Sequence, residues 1–197
     1  MSELCWPEAR SLYSMRYTCG YCGSLVASNQ GWCTYDRDGQ ESGYECIRIC
    51  PHCSRPSYFE PPDAQRPGVP FGGSVSHIPD DSVKSLYEEA RRATADGCYT
   101  AAGLCCRKVL MHIAVEKGAK PGQAFTSYVE HLATNNYIPP DAKVWVDFIR
   151  SKSNEANHEI VVLSREEAEV LLSFIEMLLK VIYEFPAEAK KRLVPGP

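Results

Sequence analysis

Cys19-Gly20-Tyr21-Cys22 and Cys50-Pro51-His52-Cys53 are two Cys-x-x-Cys motifs, separated by residues 23–49. A gap of two residues lets both thiolates of one motif bind the same ion, and two such motifs supply the four ligands of a tetrahedral zinc site. Glycine or proline beside the cysteines allows the tight turn that directs backbone N–H groups toward the sulfurs. The sequence therefore predicts a structural zinc site with four ligands: Cys19, Cys22, Cys50 and Cys53.

Two other residues compete for a place in this site. Cys46 lies four residues before the second motif, and His52 lies inside it. A residue on a strand is a poorer ligand than one in a tight turn, so the motif cysteines remain the predicted set. Three aromatic residues upstream of the first motif could cover the metal: Trp6, Tyr13 and Tyr17.

Short strands are predicted between the two motifs. Residues 24–27 could form one, and residues 32–36 and 44–49 flank an Asp-Gly pair that indicates a hairpin turn. We therefore expect a small β zinc ribbon over residues 1–55, too small to fold without its metal. Residues 56–78 are dense in proline and glycine, which predicts a linker rather than a folded element.

The pattern becomes helical over residues 79–186, and residues 187–197 are predicted to be a tail. Asp80 or Asp81 can cap a first helix that ends at Gly97. A second helix is expected over 99–117, a third over 124–135, and a fourth after Pro139. The second helix has a predicted apolar side made of Leu104, Val109, Leu110 and Ile113.

The last predicted helix is apolar on two sides. Ser164 and Glu167 form a capping box that starts it, and it is expected to run to about residue 185. One stripe consists of Ala168, Leu171, Leu172, Ile175, Leu178, Leu179 and Ile182, and a second of Val170, Phe174, Met177, Val181 and Phe185. Because such a helix is buried on two sides, it lies either at the centre of the bundle or at a dimer interface, and a homodimer is the prediction.

Charge and composition bound the possible functions. The net charge is −4, and residues 1–75 and 76–197 each contribute −2, so neither half is a basic nucleic-acid module. The first ten residues lack the apolar core of a signal peptide, and no apolar run reaches the length of a membrane span. With cysteines such as Cys98, Cys105 and Cys106 at helix positions, we expect a cytoplasmic protein in a reducing compartment.

A second constellation follows the fourth helix. If that helix continues, Arg150, Asn154 and His158 lie at successive i, i+4 positions on its exposed side. A cation, an amide and an imidazole in one line could hold a phosphate, and the imidazole could act as a general acid or base. Alternatively, these side chains cap helix ends or form an ordinary ion pair.

The sequence from Ser85 to Tyr183 resembles the helical domain of a bacterial family catalogued as domain of unknown function 4145, which is placed in the HEPN superfamily. The resemblance rests on residues 87–92, on residues 101–110, and on Arg150, Asn154 and His158. An N-terminal zinc ribbon joined to this domain is also a layout of that family. The resemblance implies an all-α HEPN-like bundle, often dimeric, with Arg150, Asn154 and His158 as catalytic residues of a metal-independent ribonuclease. Seven residues separate Arg150 from His158, which is wider than the nuclease spacing.

The first predicted function is a binding or adaptor protein that contacts nucleic acid or a partner protein, in a bacterial or phage defence or counter-defence setting. The alternative is a metal-independent ribonuclease that uses Arg150 and His158. A zinc enzyme is not expected, because four cysteine ligands leave no open position for an activated water.

Overall fold

Five strands form one antiparallel sheet in the N-terminal part of the chain. The computed structural model describes residues 5–35, 37–38, 41–60, 64–139, 142, 145–148 and 162–193, with the backbone alone for 41–44. Each strand pairs with the next along the chain, in the order β1-β2-β3-β4-β5. The strands are β1 Arg10–Thr18, β2 Leu25–Tyr35, β3 Glu41–Ile49, β4 Pro56–Glu60 and β5 Ala64–Arg66.

The predicted hairpin is present, but the strands expected at 24–27 and 32–36 belong to one continuous strand, β2. β2 and β3 pair antiparallel, with Trp32 opposite Ile47 and Cys33 opposite Cys46. Strand β1 was not predicted, because its register with β2 shifts between Ser11 and Met15 and this irregularity interrupts the alternation of buried and exposed residues.

The proline-rich stretch contains two strands, which corrects the prediction that residues 56–78 form a linker. Pro56 occupies the first position of β4, where a missing N–H is tolerated, and Tyr58 then pairs with Ile47. Strand β5 pairs with β4 at the edge of the sheet. Proline density predicts extended backbone correctly here, but the residues between the prolines supply the pairing partners.

The chain divides into two units, Met1–Pro70 and Phe71–Pro197, called here the sheet unit and the helical unit. The helices are α1 Asp81–Ala95, α2 Tyr99–Glu116, α3 Phe125–Thr134, α4 Arg165–Leu179 and α5 Phe185–Leu193, with a π-helical turn at Lys180–Glu184 between the last two. Residues 145–148 are also helical, within the predicted fourth helix. None of the described helices is long and apolar enough to cross a membrane.

Helix ends follow the predicted signals. The Asp80 side chain accepts a hydrogen bond from Ser82 N at 2.7 Å, and α1 ends just before Gly97. The capping box is confirmed, with Glu167 N donating to Ser164 Oγ at 3.2 Å and Ser164 N donating to the Glu167 carboxylate at 2.9 Å. These bonds satisfy N–H groups that the first turn of a helix leaves free.

The helices enclose an apolar core, and one residue that was predicted to be buried in it is exposed. The largest wholly buried side chains include Tyr87, Leu110, Ile113, Tyr128, Leu132, Leu172, Phe174 and Leu178. Leu104, predicted on the buried side of α2, is 63% exposed. The buried face of α2 instead includes Cys106 together with Val109, Leu110 and Ile113, and Leu104 lies away from that face because each residue turns the helix by about 100°.

The last helical segment extends further than predicted. Residues 187–193 belong to α5, so the start of the predicted tail is helical. Pro186 has no N–H to donate and its ring crowds the preceding turn, which explains why the α-helical ladder gives way to a π turn just before it. Along the second apolar stripe, Phe174 is wholly buried whereas Phe185 is 57% exposed.

Candidate metal centre

Four cysteine side chains converge in the sheet unit. The Sγ atoms of Cys19, Cys22, Cys50 and Cys53 all lie within 4.8 Å of one another. The Sγ–Sγ distance is 3.8 Å between Cys19 and Cys53 and 3.9 Å between Cys22 and Cys50. Bonds of about 2.3 Å to a central ion would place tetrahedral sulfurs about 3.8 Å apart. The cluster therefore has the size of a four-coordinate thiolate site and could hold a metal ion.

The two motifs fold into matching turns. Cys19 N donates to Ser24 O at 2.9 Å and Gly23 N donates to Cys19 O at 2.8 Å; in the second motif Cys50 N donates to Arg55 O and Ser54 N to Cys50 O, at 3.0 and 2.8 Å. The fifth residue of each turn has a left-handed backbone, with φ of 69° at Gly23 and 58° at Ser54. This shared geometry points both cysteines of each motif toward one centre.

Residues after β4 support the first turn. The Gln65 side-chain amide donates to Thr18 O at 2.9 Å and to Pro67 O at 3.2 Å. A Cβ atom at Gly20 would lie 2.2 Å from Pro67 O, so only glycine allows this approach. The segment predicted as a linker therefore helps to build the metal centre.

The thiols differ in acidity when no cation balances them. Burial raises the pKa of Cys19, and burial together with the other thiols raises the pKa of Cys53 to about 12. Burial also opposes ionisation of Cys22, but hydrogen bonds from Ser24 and from the His52 side chain outweigh it and lower its pKa to about 6. Four adjacent thiolates repel one another, so a bound cation is needed for all four to ionise.

The neighbours of the cluster differ in part from the prediction. Tyr17 is buried beside Cys19 and Cys50 and packs edge-on against Phe59 at 4.8 Å, as a cover for the site. Trp6 donates a 2.7 Å hydrogen bond to Ser54 O, just after the second motif. Tyr13 is 87% exposed and covers nothing. His52, considered as a ligand, is exposed and is not a member of the group of four clustered side chains.

Cys46 is not a ligand, because it forms a disulfide with Cys33. The two residues are direct partners on β2 and β3, and their Cα atoms are 4.1 Å apart. The prediction of a reducing compartment did not anticipate this bond. The predicted hairpin would have brought the two cysteines close, but only the register of the strands places them opposite each other.

The second predicted constellation belongs to the part of the chain after residue 148. Arg150, Asn154 and His158 all lie outside the described residues. In the described part of the helical unit, polar side chains mainly join elements: His112 Nε2 lies 3.2 Å from an Asp80 carboxylate oxygen, and the Tyr183 hydroxyl donates to Glu116 at 2.5 Å. These contacts tie α1 and the π turn to α2.

Comparison with known proteins gives a family for the helical unit. The family described as Domain of unknown function (DUF4145) matches residues 88–194, which is more than half of the chain. The matched region includes α2, α3, α4 and α5. No curated protein and no solved structure matches significantly. The chain therefore belongs to the DUF4145 family.

Proposed function

We propose that the four-cysteine cluster binds Zn²⁺ and that the ion is structural. The spacing of the sulfurs supports this assignment, because a tetrahedral four-thiolate set suits zinc and leaves no ligand position for water. The sheet around it has few buried apolar side chains apart from the cluster itself, so a metal would supply much of its stability. We expect one zinc ion per chain by plasma mass spectrometry, and its loss in Cys19→Ser.

The function that we propose is that of a binding or adaptor protein. A metal ion with four cysteine ligands does no chemistry of its own, so the sheet unit serves as a binding surface that the metal stabilises. The helical unit is a HEPN-like bundle that forms the homodimer proposed below. The resemblance to the HEPN superfamily supports a cytoplasmic role in bacterial or phage defence or counter-defence. The partner is a nucleic acid or another protein. The observation that supports this proposal is the cluster of four cysteine sulfurs, because four thiolates bound to one ion would fill a tetrahedral coordination sphere.

We also propose a homodimer through α4 and α5. An open groove of about 340 Å³ is lined by Ser173, Glu176, Met177, Lys180 and Phe185. Phe185 in this lining is 57% exposed, and a second copy would bury it. Light scattering at micromolar concentration should give the mass of a dimer, and Phe185→Asp should give a monomer. A monomeric wild type rejects this part of the proposal.

The ribonuclease alternative depends on Arg150 and His158, for which the described residues supply no contact. It makes a distinct prediction that separates an enzyme from a binding protein. Purified protein in excess chelator is incubated with single-stranded RNA, beside His158→Ala. We expect no cleavage by either protein. Cleavage by the wild type that His158→Ala abolishes would overturn the binding proposal and establish an enzyme.

A further inference from the structure

One row of side chains crosses four strands of the sheet unit. Trp32 on β2 lies opposite Ile47 on β3, Ile47 lies opposite Tyr58 on β4, and Tyr58 lies opposite Arg66 on β5. Directly opposite residues point to the same face of a sheet, so these four side chains form a continuous strip. Trp6 packs edge-on against Trp32 at 6.0 Å and extends it. We call Trp32, Ile47, Tyr58 and Arg66 the Trp32–Arg66 row; Trp6 is not counted in it.

The row is accessible although most of it is apolar. Ile47 is 38% exposed, and Trp32 and Tyr58 are half-buried. The buried cluster of the sheet unit lies elsewhere, around Tyr17 and the metal-site cysteines. Four strands at about 4.8 Å spacing make the strip about 14 Å long, which matches about four residues of an extended peptide.

Two carboxylates lie beside the middle of the row, on one side of it. Glu45 lies two residues before Ile47 and Glu60 two residues after Tyr58, so the period of two places both on the same face. Both are exposed. Burial raises the pKa of Tyr58, and the negative charges of Glu45 and Glu60 raise it further, whereas Arg66 lowers it. Two carboxylates and one guanidinium therefore act on the centre of the row.

This charge pattern selects between the two partner classes. A nucleic acid would bring phosphates against Glu45 and Glu60, and like charges in contact oppose binding. A lysine or arginine side chain can pair with these carboxylates and stack on the faces of Trp32 and Tyr58. The apolar centre at Ile47 favours aliphatic side chains between the cations. The surface is thus complementary to a segment that is both basic and apolar.

We propose that the Trp32–Arg66 row, with Glu45 and Glu60, docks a basic, apolar segment of a partner protein. This inference rests on the proposed binding function and specifies the class of partner. The 197-residue chain, loaded with zinc, is titrated into a fluorescein-labelled peptide of about nine residues that alternates lysine and valine. Parallel titrations use a glutamate–valine peptide and a single-stranded RNA of about ten nucleotides. Fluorescence anisotropy reports binding at low and at physiological salt.

We expect salt-sensitive binding of the lysine–valine peptide alone. Glu45→Gln combined with Glu60→Gln should weaken it about tenfold, since two exposed charge pairs are lost. Ile47→Ser should weaken it while leaving the salt dependence in place. Glu89→Gln combined with Glu188→Gln removes two carboxylates of the helical unit, outside the row, and should leave peptide binding unchanged. Zinc content and circular dichroism verify that every variant is folded.

Other outcomes overturn the inference, and they can be told apart from a failure of the proposed binding function. If the Glu45→Gln/Glu60→Gln variant and the Ile47→Ser variant bind the peptide as the wild type does, the peptide binds outside the row. RNA binding that the row variants abolish, with no peptide binding, assigns the face to nucleic acid and keeps the binding function. Absence of binding by all three probes also rejects the inference. The binding function itself fails if the separate cleavage assay shows that the protein cuts RNA and that His158→Ala abolishes the cutting.

Discussion

Arg91 fixes the first residues of the helical unit against α1. Arg91 is 9% exposed. The guanidinium donates to Phe71 O at 3.0 Å, to Gly72 O at 2.7 Å and to Ser74 Oγ at 2.9 Å, and pairs with Glu88 at 2.7 Å. A planar fork of five donors can reach all of these acceptors at once, whereas an ammonium group cannot. Arg91 therefore holds residues 71–74 against α1, where Tyr87 also donates to Gly73 O.

We expect Arg91→Lys to lower the free energy of unfolding by about 2–3 kcal/mol, because two backbone carbonyls lose their donor in a nearly buried place. Urea unfolding followed at 222 nm measures the change. Arg92→Lys is the matched control, since Arg92 is exposed on the same helix, and it should stay within about 0.5 kcal/mol of the wild type. Equal effects of the two variants would contradict this role.

Glu116 links α2 to the π turn by a bond that depends on its charge. Burial opposes ionisation of Glu116, but hydrogen bonds from Lys117 and Tyr183 outweigh burial and lower its pKa. A lowered folded-state pKa contributes stability that is fully present above the unfolded-state pKa, about 4.3, and is lost as the pH falls through the folded-state value. The contribution is therefore complete at pH 7 and absent in strong acid.

We expect Tyr183→Phe to cost about 1–2 kcal/mol at pH 7, because the carboxylate loses a charge-assisted donor. The difference from the wild type should shrink as the pH falls below about 4.3. Unfolding at pH 7 and in acid measures both values. Tyr128→Phe is the control. The Tyr128 hydroxyl accepts a hydrogen bond from Gln123 N, and this bond involves no carboxylate, so the loss of stability in this variant should not change with pH. A pH-independent cost for Tyr183→Phe would contradict the charge-dependent bond.

At the scale of elements, the pairing of β2 with β3 depends on a residue that has no side chain. A Cβ atom at Gly31 would lie 1.9 Å from Ile47 O. The obstacle is backbone, so it cannot rotate away. At Gly23, by contrast, a Cβ would meet nothing within 4 Å, and only the left-handed φ of 69° disfavours a larger residue.

We therefore expect Gly31→Ala to destabilise the sheet unit by about 3 kcal/mol or more, because the two strands must separate. Gly23→Ala should cost about 1–2 kcal/mol, the strain of a left-handed residue alone. The chelator concentration at which half of the zinc is lost is measured for each variant, and Gly31→Ala should lose zinc at the lower concentration. A smaller effect at Gly31 than at Gly23 would show that the strands tolerate the extra atom.

For the whole molecule, the two units have different sources of stability. The helical unit encloses a large apolar core, whereas the small cluster of the sheet unit is centred on Cys19 and Cys50. Under the proposed zinc assignment, folding of the sheet unit is coupled to ion binding, so removal of the ion should act on that unit only.

We expect a strong chelator to expose the backbone amides of residues 10–66 and to leave those of α1 and α2 protected, as measured by hydrogen exchange and mass spectrometry. Added zinc should restore the protection. Cys50→Ser should reproduce the effect without chelator, and Cys98→Ser, at an exposed cysteine outside the cluster, should not. Simultaneous loss of protection in α1 would contradict independent stabilisation.

Local signals made much of this architecture predictable. Asp80, Ser164 and Gly97 mark helix ends by chemistry that acts within one turn, and the Cys-x-x-Cys spacing alone places two thiols on one side of a tight turn. Burial was predicted less well where it depends on neighbouring helices. Leu104 is apolar yet exposed, because the partners of α2 contact other sides of that helix.

The sequence by itself determined the cysteine pairs, the order of strands before helices, and the capped starts of α1 and α4, because each depends on residues close together in the chain. Only the tertiary structure decided the pairing of β4 and β5, the Cys33–Cys46 bond, the place of His52 outside the cluster and the Trp32–Arg66 row. These features depend on strand register, which brings together residues far apart in sequence and which no local pattern encodes.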